Sequence, residues 1–253
     1  MLQQSDYSKI SDVLAESLNL PQAPAAISFA SHVPDGVPQY NGRVPAGCRF
    51  WEDAVTAPLA TSAKDHNLCA VGVYTQNLET SPGQQVDLID AFKVFGELEY
   101  VRVQDLALIP VLQWQPQYVI YSALAKAPLA PDVVILFVNA NQTLICSEAT
   151  QQVENQNPPA LGRPACAVVP QVMTTGRLAL SLGCCGARAY LDILTDDVAV
   201  FVIPRAKLAS YAERIEKLAR ANTVLSKFHQ VRRERIQTRK TPTVRESLAA
   251  MAP

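Results

Sequence analysis

No run in the 253-residue chain approaches the roughly 18 uninterrupted apolar residues that a membrane span needs. The opening Met-Leu-Gln-Gln-Ser-Asp-Tyr-Ser-Lys has no basic-then-apolar signal pattern, so a cytoplasmic location is expected. There is no basic excess either. A formal net charge of −1 leaves no electrostatic footprint for nucleic acid, and no nucleic-acid partner is expected. Cys-x-x-Cys is absent, which removes the zinc-ribbon, thioredoxin and c-type haem readings. Gly-x-Gly-x-x-Gly, Gly-x-x-x-x-Gly-Lys-Ser/Thr, His-Glu-x-x-His and Gly-x-Ser-x-Gly are absent too, against a simple nucleotide-binding or serine-hydrolase reading.

What remains is an apolar chain, 49% hydrophobic and 18% charged, long enough to bury a substantial core. Tyr7 to Leu20 places Ile10, Val13, Leu14 and Leu18 on one helical face and stops at Pro21. Pro24 to Ala30 reads as a short buried strand, and residues 31–47 carry the glycines and prolines of a loop. A short helix is expected over Cys48 to Thr56, and a longer one around Val86, Ile89, Phe92 and Phe95. Val133-Val-Ile-Leu-Phe-Val138 has no polar face, which predicts a central strand covered on both sides. Strands are also expected at 118–122, 178–182 and 198–203, and a helix from Gln142 to Glu154. Asn155 to Pro164 is read as loop. From Arg205 onward Leu208, Tyr211, Ile215, Leu218, Leu225 and Phe228 form the seam of a long helix. The expected fold is mixed α/β (α+β): one domain over 1–235, a mostly buried central sheet, flanking helices, a long C-terminal helix, and a disordered basic tail at 236–253.

The chemistry concentrates in residues 64–76. Asp65, His66 and Cys69 fall within five residues, a spacing open to a proton relay or to metal ligation. If the stretch is helical, His66 and Cys69 share a face. The competing reading is a core histidine satisfied by backbone beside a thiol that simply fills space. Gly183-Cys184-Cys185-Gly186, followed by Arg188, is the second candidate. Glycines around a thiol allow exposed amides to cradle an anion or cofactor, and the alternative is a tight turn with two core thiols. The fold is expected to bring these segments and Cys48 into one site.

Gly-Cys-Arg-Phe-Trp at 47–51, Asp-His-Asn-Leu-Cys-Ala-Val-Gly-Val-Tyr at 65–74 and Ala-Pro-Leu-Ala-Pro-Asp-Val-Val at 127–134 form a recognisable set. Leu-Gly-Arg-Pro-Ala-Cys at 161–166 and Gly-Cys-Cys-Gly-Ala-Arg at 183–188 complete it. The chain resembles the domain-of-unknown-function family 169 from Tyr7 to about Arg232. The resemblance implies cysteines at Cys48, Cys69, Cys166 and Cys184, with Cys146 and Cys185 as bystanders. Four such thiols imply an iron–sulfur cluster or another thiolate-bound metal, and a redox or small-molecule partner. Two other classes stay open. One is a cofactor-free small-molecule binding module. The other is a cysteine-dependent enzyme using Cys69 or Cys184 as nucleophile, with His66 as base and Asp65 beside it.

Overall fold

The structure is a computed structural model, and it describes residues 3–42, 44, 46–66, 68–100, 102–161, 164–183, 194–238 and 243–251. Seven strands form one sheet in the order β2-β3-β1-β4-β7-β6-β5. They are β1 (Ala25–Ala30), β2 (Leu59–Thr61), β3 (Tyr118–Ala123), β4 (Val133–Val138), β5 (Ala160–Leu161), β6 (Ala179–Ser181) and β7 (Ala199–Pro204). Every pair is antiparallel except β5 with β6. Eight helices accompany them among the described residues, as an α+β fold requires. These are α1 (Gln4–Leu18), α2 (Arg49–Thr56), α3 (Ala70–Thr75), α4 (Pro82–Glu97), α5 (Ala140–Glu154), α6 (Val168–Thr175), α7 (Leu208–Gln237) and α8 (Val244–Ala249). None is long and apolar enough to cross a membrane.

β4 shows why its sequence has no polar face. Successive side chains of a strand point to opposite sides. Val133, Ile135 and Phe137 enter one core with Trp51 of α2 and Val168 of α6, while Val134, Leu136 and Val138 enter another with Leu14 of α1 and Tyr211 of α7. The second core is mainly apolar, and its buried Gln142 and Thr150 are hydrogen-bonded to the Leu18 and Cys146 carbonyls. The first also receives the residues of the candidate site, because β2 and β3 turn Thr61 and Tyr121 into it.

Local chemistry sets most boundaries. α5 starts two residues before the expected Gln142, because Asn139 Oδ1 accepts the Gln142 N–H (3.0 Å) and Gln142 Oε1 accepts the Asn139 N–H (2.7 Å), a capping box. α4 starts the same way from Ser81. α1 ends at Asn19, whose φ of 49° is a left-handed cap. Three expectations differ from the structure. The 155–164 loop contains strand β5, which is too short for any pattern to reveal. Residues 64–76 are not one helix: a 3-10 turn over Ala63–His66 precedes α3, and Cys69 is the α3 N-cap. In the 236–253 segment, read as a disordered tail, α8 follows α7 and packs against it.

Leu136, fully buried in β4, and Leu144, largely exposed on α5, provide a direct test of this layering. Leu136→Ala should cost about 2–5 kcal/mol in urea unfolding, through lost burial and a residual cavity. Leu144→Ala should change stability by less than about 0.5 kcal/mol.

Candidate functional site

His66 closes the 3-10 turn, and the Cys69 N–H donates to its carbonyl at 2.8 Å. That turn, rather than a shared helical face, brings the two side chains together. The imidazole is fully buried. Phe50 packs edge-on against it with ring centroids 4.8 Å apart, and Tyr121 packs on Phe50 at 5.6 Å.

The two ring nitrogens differ sharply. Nε2 lies 3.2 Å from the Thr61 hydroxyl, whose own proton is directed at the Val119 carbonyl, 3.4 Å away. A hydroxyl has one proton to donate, so Thr61 accepts from Nε2–H, and this network assigns Nδ1 as the unprotonated nitrogen. Nδ1 is buried with no hydrogen-bond partner among the described residues. Burial pushes the His66 pKa down to about 4, so the ring is neutral at physiological pH.

Two glycines make room for this arrangement. A Cβ on Gly47 would stand 2.8 Å from His66 Nδ1 and 3.9 Å from Cys69 Sγ. A Cβ on Gly72 would stand 2.9 Å from Cys69 Sγ and 3.7 Å from Nδ1. Nδ1 and Sγ therefore lie near each other and pack closely on the Gly47 and Gly72 backbone, and a larger residue at either position would strike one of them. Such a pair can share a soft metal ion, or pass a proton from thiol to imidazole.

The remaining candidates divide clearly. Asp65 is not the group that orients the ring, since its Oδ2 accepts from the Ser62 N–H (2.7 Å) and the Ser62 hydroxyl (3.0 Å). The expected Asp65–His66 relay is replaced by Thr61 and the Val119 carbonyl. Cys48 is buried beside Gly47 in the same core, and Cys166 is half-buried in a 3-10 turn, Ala165–Ala167, that packs against α3. Burial raises the Tyr121 phenol well above its ordinary value, and nearby Cys166 and Cys69 push it the same way. Gln76 Nε2 donates to that phenol oxygen at 3.2 Å, an opposing influence. Among the described residues no three His, Cys, Asp or Glu side chains stand close enough to hold a metal by themselves. Cys146 lies across the sheet in the second core, where burial pushes its thiol up to about 12. Gly183 ends β6 with φ of 102°, a conformation that favours glycine. Cys184, Cys185, Gly186 and Arg188 lie outside the described residues.

Thr61, Gly47 and Gly72 were not singled out by sequence reasoning. Gly72 did carry a signal, since an isolated glycine in a short apolar helix costs about 1 kcal/mol and needs a packing or functional reason.

Residues 13–214 match the model of the uncharacterised ArCR family, domain of unknown function 169. The chain belongs to that family. No curated protein and no solved structure matches it, so membership brings no activity with it. In family terms, the Gly-Cys-Arg-Phe-Trp segment supplies Gly47 and Phe50, and the Asp-His-Asn-Leu-Cys segment supplies His66 and Cys69.

Two outcomes follow for this family member. Gly47→Ala should lose about 1–3 kcal/mol of stability, because the imidazole it would strike is wedged between Phe50 and Thr61. The second concerns pH. The His66 pKa is lower folded than unfolded, so between pH 6.5 and 4 the unfolded chain binds a proton that the native state refuses. Stability should fall as pH drops through that window, by about 3 kcal/mol in total from this group. Urea unfolding from pH 8 to 4 should show this component in the wild type and not in His66→Gln. An identical pH dependence in both would refute the buried neutral ring.

Proposed function

We propose that the domain holds a metal centre built on the Cys69 thiolate and His66 Nδ1. Cys48 and Cys166 do not stand close enough to complete it, so the further thiolate donor in this reading is Cys184, which lies outside the described residues. The observation that carries this reading is the buried Nδ1, which has no hydrogen-bond partner among the described residues and stands near the Cys69 sulfur, both packed closely on Gly47 and Gly72. An unpaired buried acceptor costs about 1–3 kcal/mol, and a ligand that takes the lone pair removes that cost. The second ring nitrogen supports the reading too. Metal-binding histidines usually anchor their other N–H on an oxygen acceptor, the role Thr61 fills here.

A neutral imidazole and a thiol that gives up its proton are the donor forms a soft metal such as zinc or the iron of an iron–sulfur cluster takes. Bound there, zinc would tie the 66–69 turn and α3 together, whereas an iron–sulfur cluster would supply one-electron transfer. The protein's own contribution is to orient the ring, keep it neutral and exclude water. A cytoplasmic location, where thiols stay reduced, belongs to the same proposal.

The Cys69–His66 pairing also favours a second reading, a cysteine-dependent enzyme. Against it, an imidazole held at about 4 is a weak base for a thiol whose ordinary pKa is near 8.5, and the ring is sealed from solvent.

Anaerobic purification followed by iron, zinc and acid-labile sulfide analysis separates these readings. Wild type and Cys146→Ser should carry the same near-stoichiometric metal. Cys69→Ser and His66→Gln should each bind it at least about tenfold more weakly. A wild-type protein that neither retains metal nor takes up added zinc or iron, yet consumes a thiol-directed alkylating reagent at Cys69, would overturn the metal reading in favour of the nucleophile.

A further inference from the structure

The exposed apolar surface of this chain is concentrated. Apart from Leu144 and Leu182, the exposed large hydrophobics among the described residues fall in two stretches, 68–114 and 224–248. The first includes Leu68, Val86, Ile89, Val94, Leu98 and Leu108, each at least half exposed. Val86, Ile89 and Val94 of these stand on α4, a 16-residue helix with only Gln84 buried, which packs mainly on α3. Between α3 and α4 runs an open cleft of about 360 Å³ whose apolar lining includes Val73, Tyr74, Leu78, Leu88, Ile89 and Val111. The second stretch is the distal part of α7 with α8. The buried residues of α7 end at Ile215 and Leu218 still packs on the second core, so residues 219–237 continue as an arm of roughly 28 Å at 1.5 Å per residue. Val224, Leu225, Ile236, Val244 and Leu248 of that arm are exposed.

The two stretches are opposite in charge. Residues 82–99 carry Asp87, Asp90, Glu97 and Glu99 against Lys93. The arm from 224 to 249 carries Lys227, Arg232, Arg233, Arg235 and Arg245 in its described part, against Glu234 and Glu246. They also start from opposite sides of the sheet, α3 on the first core and α7 on the second. The arm is thus a basic helix with exposed aliphatic residues, and the α3–α4 surface is an acidic one with an apolar cleft. Apolar patches of this kind mark contact surfaces, and complementary charge selects the partner and its register.

We propose that two copies of this chain associate by exchanging arms, the distal α7 and α8 of each seating on the α3–α4 cleft of the other. A reciprocal exchange is self-complementary and closes as a two-fold dimer. It covers both exposed stretches in one interface and gives the arm the tertiary packing that most helices depend on. It would also cap α3, which carries Val73 and Tyr74 in the cleft and Gly72 at the His66–Cys69 site. This proposal does not rest on the metal centre.

The test uses full-length protein and its solution mass by light scattering across a dilution series. Wild type should weigh twice its 27.5 kDa chain mass. The pair Asp87→Lys with Glu97→Lys, and separately the pair Lys227→Glu with Arg233→Glu, should each weaken the dimer at least about tenfold. All four positions are exposed, so folding should survive, with circular dichroism as the check. Combining the four substitutions should restore the dimer to within about threefold of wild type. A wild-type mass of one chain at the highest soluble concentration overturns the proposal, and so does a dimer indifferent to both charge reversals. If each reversal weakens the dimer and the combination fails to restore it, the arm and the cleft are not each other's partners.

Discussion

A sheet with helices on both faces has two cores to fill, and the pleat of each strand divides its side chains between them. In β4 both sets are apolar, and the strand is fully buried. Strands nearer the β2 edge are less uniform, and this difference decides where chemistry can sit. Tyr121 of β3 and Thr61 of β2 send polar groups into the first core, where each must find a partner. The second core, under α1, α5 and α7, holds the domain together by burial. A buried charged group at its edge, Glu154, is satisfied by the Leu178 N–H, the Tyr211 hydroxyl and Lys207.

On the other side of the sheet, Trp51 Nε1 and His66 Nδ1 are buried without a hydrogen-bond partner among the described residues. The His66 Nε2 is tied to the sheet through the hydroxyl of Thr61, which pairs with Val119 in β3, so the ring cannot swing without breaking that hydrogen bond. Its Nδ1 has no such anchor among the described residues. Phe50 and the Gly47 backbone hold the ring from the other sides. Such rigidity around an unfilled acceptor suits a site that is formed before its ligand arrives, because no reorganisation cost is then taken from binding. The two glycines belong to the same constraint, since an alanine at 47 would strike the imidazole and one at 72 would strike the Cys69 sulfur.

Much of the fold could be read from residue pattern alone. The unbroken apolar run of β4, the three-and-four spacing of α1 and the Leu208–Ile215 seam of α7 are long periodic signals, and the structure contains all three. Even the brief extended piece at Leu59 to Ser62 reads as such after Pro58, and it is β2. But β5 could not be read, because it has two residues and exists only because β6 offers it hydrogen bonds. The apolar spacing of α4 reads as a core-packed helix, yet most of that face is exposed, because periodicity reports amphipathicity and not what covers it. At the site, His66 and Cys69 were visible as residue types with known chemistry. Thr61 was not, because a threonine becomes a histidine anchor only through strand register. Asp65 looked like a relay partner by adjacency, but neighbouring residues in a tight turn point apart, and its carboxylate caps Ser62 instead.

The central claim is that His66 Nδ1 and Cys69 Sγ bind one metal together. X-ray absorption at the zinc edge of the zinc-loaded protein measures this most directly, because nitrogen and sulfur neighbours fall at different distances. The account predicts a nitrogen shell at about 2.0–2.1 Å together with sulfur at about 2.3 Å, and loss of the imidazole component in His66→Gln. A wild-type spectrum with sulfur neighbours alone, or one that His66→Gln leaves unchanged, would contradict it.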